Sequence, residues 1–112
     1  MAELHNTEYI DFEGGLKRVG GNLNLFKRLL NKYVADDYYG QLTAQLDAGD
    51  LEKATSAAHT IKGVAANLSL TKVNAASLAV EQALKNGEAY AELLTELESA
   101  VRATDAQIGA IE

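Results

Sequence analysis

The sequence predicts an all-α fold: an antiparallel up-down four-helix bundle preceded by a short N-terminal helix. Three observations point there. The 112 residues contain no proline, the residue that most disrupts helices. Apolar residues recur at spacings of three and four, with no strand-like alternation. Short breaks at Gly20-Gly21-Asn22, Ala48-Gly49-Asp50, Ser69-Leu70-Thr71 and Asn86-Gly87-Glu88 leave little connecting chain, so successive helices must run antiparallel. The length suits one domain spanning 1–112, and 47% apolar residues give it a core.

Each element follows in order. Ile10 to Val19 reads as a short first helix with Asp11 as its cap. Asn22 caps a long second helix, with Leu23, Phe26, Leu29, Leu30, Tyr33, Val34, Leu42 and Leu46 on its inner side. Asp50 caps a third from Leu51, with Leu51, Ala54, Ala58, Ile61, Ala65 and Leu68 inward and Ala57 and Val64 widening the stripe. Thr71 caps a fourth, with Val73, Ala76, Val80 and Leu84 inward. The last runs from about Glu88, with Tyr90, Leu93, Leu94, Leu97, Val101, Ile108 and Ile111 in step. Tyr33, Tyr38 and Tyr39 read as core and helix-edge packing rather than a ligand site.

Composition excludes several classes of function. Cysteine is absent, which removes disulfide and thiolate chemistry. No apolar run approaches the roughly 18 residues of a membrane span. The stretch Met1 to Ile10 carries Glu3 and Glu8 and lacks the apolar block of a signal peptide. A net charge of −6 argues against nucleic acid and anionic membrane as partners. We expect a cytoplasmic monomer, and Met1 with a short tail suggests a free-standing chain.

The charge is unevenly placed. Residues 36–52 hold five acids and no base, whereas 53–80 hold Lys53, Lys62 and Lys72 and no acid. His59 lies inside that positive window. At about 100° per residue it points roughly 150° away from the centre of the third helix's apolar stripe. Its face-mates are Glu52, Thr55, Ser56, Lys62, Gly63 and Ala66, mostly small residues. No carboxylate lies at i±3 or i±4 of His59, which disfavours a metal site, and none lies at i±4 of Lys62. His5 reads as a surface residue near the terminus. Ser-His-Asp spacing and a P-loop are both absent.

An exposed neutral imidazole is a nucleophile at physiological pH and can accept a phosphoryl group. Lys62, one turn away, can neutralise the added charge. Gly63 and Ala66 leave room for a second protein's active site. Glycine in mid-helix costs about 1 kcal/mol against alanine, so its presence there fits a need for access.

The stretch Ala58-His59-Thr60-Ile61-Lys62-Gly63-Val64-Ala65-Ala66-Asn67-Leu68 resembles the signature of histidine-containing phosphotransfer (HPt) domains, H-x-[LI]-K-G followed by small residues. The likeness extends to Ile10-Asp11-Phe12-Glu13-Gly14-Gly15-Leu16, to Val19-Gly20-Gly21-Asn22, to Leu46-Asp47-Ala48-Gly49-Asp50-Leu51 and to Ala79-Val80-Glu81 with Leu84. It covers about residues 8–101. Ser69 stands where the family usually has glycine.

The resemblance implies a phosphorelay intermediate that is not itself an enzyme. His59 would take a phosphoryl group from a receiver domain's phospho-aspartate and pass it to another receiver. Lys62 would stabilise phosphate charge, and Gly63 would provide clearance. Thr55, Ser56 and Ala66 would lie in the docking surface. Partners would be response-regulator receivers and a hybrid sensor histidine kinase. The chain would need no cofactor, the receiver bringing Mg²⁺. Histidine-kinase dimerisation helices also phosphorylate a helical histidine, but typically with an acid directly after it and a proline five residues on. Here Thr60 follows and residue 64 is valine. The alternative reading is a helical adaptor that docks receivers without carrying phosphate.

Overall fold

The computed structural model describes residues 5–111, so Met1 and Glu3 lie outside it. Six helices follow one another: α1 (Phe12–Arg18), α2 (Leu23–Asp36), α3 (Tyr38–Asp47), α4 (Leu51–Leu68), α5 (Thr71–Asn86) and α6 (Ala91–Gly109). There is no strand among the described residues.

Three of the expected caps form. Asp11 accepts from the Gly14 N–H, Asn22 from Leu25 and Asp50 from Lys53, each at 3.0 Å. Thr71 does not cap α5. The cap position is Leu70, and the Thr71 hydroxyl instead donates to the Glu8 carbonyl at 2.7 Å, tying the N-terminal segment to α5. The last helix starts at Ala91, later than expected from Glu88, without a side-chain cap.

The long second helix is a correction: it is two helices, broken at Asp37. That residue sits in the left-handed region at φ +45, and its side chain accepts from the Gly40 N–H at 3.1 Å. Aspartate tolerates this conformation better than most residues and is also a good cap, so one residue ends α2 and begins α3. The Gln41 amide takes the orphaned Asp36 carbonyl at 2.8 Å. Apolar periodicity passes straight through the break and gave no sign of it.

Two residues expected inside are exposed. Leu51 stands at the first turn of α4, before neighbouring helices cover it, and Val34 lies in the last turn of α2. The other inward positions are buried or half-buried. Tyr33 is core, and Tyr38 stacks on it with ring centroids 6.1 Å apart.

The core gathers Phe26, Leu30, Leu42, Ile61, Val73, Val80, Leu97 and Ile108. Helix α4 lies at its centre, against α5 and α3 chiefly and also α1 and α2, while α5 packs on α6. Its buried face is largely alanine (Ala54, Ala58, Ala65), and small contacts let neighbouring helices approach closely. The molecule is elongated, 46 × 22 × 21 Å.

Helix α4 ends on Ser69, left-handed at φ +59, the conformation that glycine adopts most readily. Leu70 N–H closes the turn onto the Ala65 carbonyl at 2.8 Å, and the Ser69 carbonyl accepts from Asp11 N–H at 2.9 Å. This turn brings α5 back along α4 beside His59.

Candidate functional site

His59 projects from the outer face of α4, with 65% of its side chain exposed. The neighbouring helix supplies its partner. Glu81 of α5 faces α4 with its side chain only 2% exposed. Its Oε2 takes a bond from His59 Nδ1 at 2.8 Å and an ion pair from Lys85 Nζ at 3.1 Å, while Oε1 meets Lys62 Nζ at 2.9 Å. The Asn74 amide donates to the Lys62 carbonyl at 3.0 Å and pins the two helices beside this cluster.

Burial alone would raise the Glu81 carboxyl. Hydrogen bonds from Lys62, Lys85 and His59 outweigh it and hold the group down at about 2. Glu81 is therefore ionised at neutral pH. An ionised carboxylate can only accept, so His59 Nδ1 carries the hydrogen. In the neutral ring the lone pair is then on Nε2, the nitrogen turned away from Glu81. One buried acid fixes the tautomer and the ring orientation.

The other residues singled out from sequence fall as follows. Gly63 is on the same exposed face, and a Cβ built there meets nothing within 4 Å. Ser56 and Ala66 are exposed; Thr55 is half-buried, its hydroxyl donating to the Leu51 carbonyl at 2.7 Å. Lys62 is the correction. Far from lacking a carboxylate, it is bonded to Glu81 and only 29% exposed. Its partner comes from a different helix, where i±4 spacing does not look.

Glu81 and Lys85 were missed as site residues. A signal was present: Glu81 is four residues after Ser77 and three before Leu84, so a lone acid falls on the inner stripe of α5. It is also the first acid after the acid-free window, with Lys85 at i+4. On the other flank of α4 an open groove of about 440 Å³ is lined by residues including Leu29, Tyr33, Tyr38, Val64, Asn67 and Leu68.

Against models of known families, the chain matches the Hpt domain over residues 34–107. The match runs from the last turn of α2 into α6 and contains every residue of the His59 cluster. The resemblance at residues 8–33 lies outside it. Searches of curated proteins and of solved structures gave no match.

Proposed function

The chain belongs to the Hpt domain family, the histidine phosphotransfer modules of two-component phosphorelays, and from that premise we propose that His59 Nε2 is its phosphoryl acceptor. The reading rests on one observation above the rest: the bond from His59 Nδ1 to the buried Glu81, which leaves the outward nitrogen nucleophilic. The donor is a receiver domain's phospho-aspartate and the next acceptor is a second receiver. A hybrid sensor kinase is a further partner upstream.

In the transfer step Nε2 attacks phosphorus in line. The Nε2–P bond forms as the P–O bond to the aspartyl oxygen breaks, and the electron pair leaves with the carboxylate. No proton has to leave Nε2, because Nδ1 holds the ring hydrogen. The ring becomes cationic and Glu81 faces that charge. The receiver supplies Mg²⁺ and its own acidic pocket; this chain supplies a positioned nucleophile and positive charge from Lys62. Gly63, Ser56 and Ala66 keep the approach to the imidazole low, and Thr55 borders it. Transfer chemistry belongs to the pair of proteins, so this chain is a carrier rather than an enzyme.

The scaffold we propose is a four-helix up-down bundle, with α2 and α3 together serving as one broken rod beside α4, α5 and α6. It acts as a cytoplasmic monomer. The test is incubation with a phosphorylated receiver. Label that is acid-labile and base-stable, and absent from a His59→Gln protein of unchanged helicity, is the expected result. Receiver binding without any such label would overturn the reading in favour of an adaptor that docks receivers and carries no phosphate.

A further inference from the structure

The transfer step described above uses one lysine, yet two are bound to Glu81. Lys85 Nζ and His59 Nδ1 share the same oxygen, Oε2, so one carboxylate oxygen links the second ammonium to the ring. Lys85 comes from α5, one turn beyond Glu81, and its side chain is 59% exposed. Lys62 approaches the other oxygen and is more deeply set, at 29%.

Charge counting makes the second lysine matter. One carboxylate and two ammonium groups leave this cluster with a net charge of about +1 beside a neutral imidazole. A phosphoryl group brings a charge near −2 to Nε2 and makes the ring cationic. Glu81 is then engaged by that ring, and its hold on Lys85 is the longest of its three contacts, made by the more exposed of the two lysines. The phosphoryl oxygens offer Lys85 more negative charge than the shared Oε2 does. Its exposed stem leaves it free to turn.

Resting on the reading of His59 as acceptor, we propose that Lys85 is the second cation of the phosphorylated state. In the resting protein it holds Glu81 against the ring, and once His59 is loaded it turns to the phosphoryl group. It is a positioning residue before transfer and a charge partner after it.

Phosphoramidate tests this without any docking partner. In its zwitterionic form ammonia leaves as the P–N bond breaks, and the phosphoryl group becomes bonded to Nε2. Loading rate and phosphohistidine lifetime are compared for the parent, Lys85→Gln and Lys85→Arg, at low and high salt, with circular dichroism as a folding check. Losing one of two cations beside the phosphoryl group, Lys85→Gln is expected to load about three- to tenfold more slowly at low salt. The deficit closes at high salt, and Lys85→Arg recovers the parental rate. Parental loading and lifetime in Lys85→Gln at low salt would overturn the proposal. So would a deficit that salt leaves unchanged and arginine fails to rescue, since that is a packing effect. If the parent takes no label on His59, the acceptor reading itself has failed and the role of Lys85 goes with it.

Discussion

Replacing Glu81 by glutamine removes one charge from the centre of the site while keeping its shape. The side chain loses the charge that holds one hydrogen bond, from His59 at 2.8 Å, and two ion pairs, with Lys62 at 2.9 Å and Lys85 at 3.1 Å. The amide nitrogen that replaces one oxygen must also face a donor. Hydrogen bonds to a charged group are each worth about 1.5–3 kcal/mol, against about 0.5–1.5 for neutral ones. The carboxyl held at about 2, against an ordinary 4.5, gives an independent figure. At about 1.4 kcal/mol per unit that is roughly 3 kcal/mol. His59 and Lys85 are more than half exposed, so solvent screening reduces it to about 2.

The sign with pH follows. The folded-state value is depressed, so the stabilisation is complete above about pH 4.5 and is lost as pH falls toward about 2. Denaturant unfolding of the parent and Glu81→Gln at pH 6 is expected to differ by about 2 kcal/mol. The gap narrows steadily from pH 4.5 to pH 2.5, because only the parent has the Glu81 carboxylate to lose. A gap of constant size across that range would refute the reasoning and mark Glu81 as a packing residue. The same variant should lose its preference for one ring nitrogen. Nitrogen NMR of His59 is expected to show a mixture of tautomers where the parent has mainly Nδ1–H.

Four further outcomes follow from the same geometry. Lys62→Ala is expected to cost about 1–2 kcal/mol in a thermal or denaturant melt, because it strips a buried carboxylate of one partner; a cost below about 0.3 would mean that the 2.9 Å pair does no work. Gly63→Ala should stabilise the fold by up to about 1 kcal/mol, since its Cβ meets open space. Gly63→Leu should melt no lower than the parent yet take phosphoryl from a receiver poorly; parental transfer kinetics would defeat the clearance idea. Ser69→Gly relieves a left-handed residue at φ +59 and should raise stability by about 0.5–1 kcal/mol, whereas a lower melting point would show that the serine side chain is needed there.

Most of the helical architecture could be read from sequence because its signals are local. Asp11, Asn22 and Asp50 cap as their positions suggest, and the stripe Ala54, Ala58, Ile61, Ala65, Leu68 is buried. The outward angle of His59 follows from that stripe alone. What escaped is not local. Asp37 breaks a helix whose apolar period continues unbroken on both sides. Thr71 bonds to Glu8, 63 residues away, in place of capping its own helix. Glu81 reaches His59 across 22 residues, and a helix-by-helix reading assigns a lone acid to solvent by default. Pairing between helices had to be known before Lys62 could be given its carboxylate.

The groups proposed to handle phosphate all sit on one helical hairpin, α4 and α5, joined by the tight turn at Ser69-Leu70. The groove on the far flank of α4 is completed instead by α1, α2 and α3. The proposed chemistry is thus carried by one continuous stretch of the chain, from His59 to Lys85. Leu29, Tyr33 and Tyr38 line that groove and lie outside the cluster of His59, Glu81, Lys62 and Lys85. Exchanging residues 51–86 between homologues would therefore move the histidine, the acid and both lysines together as a single cassette.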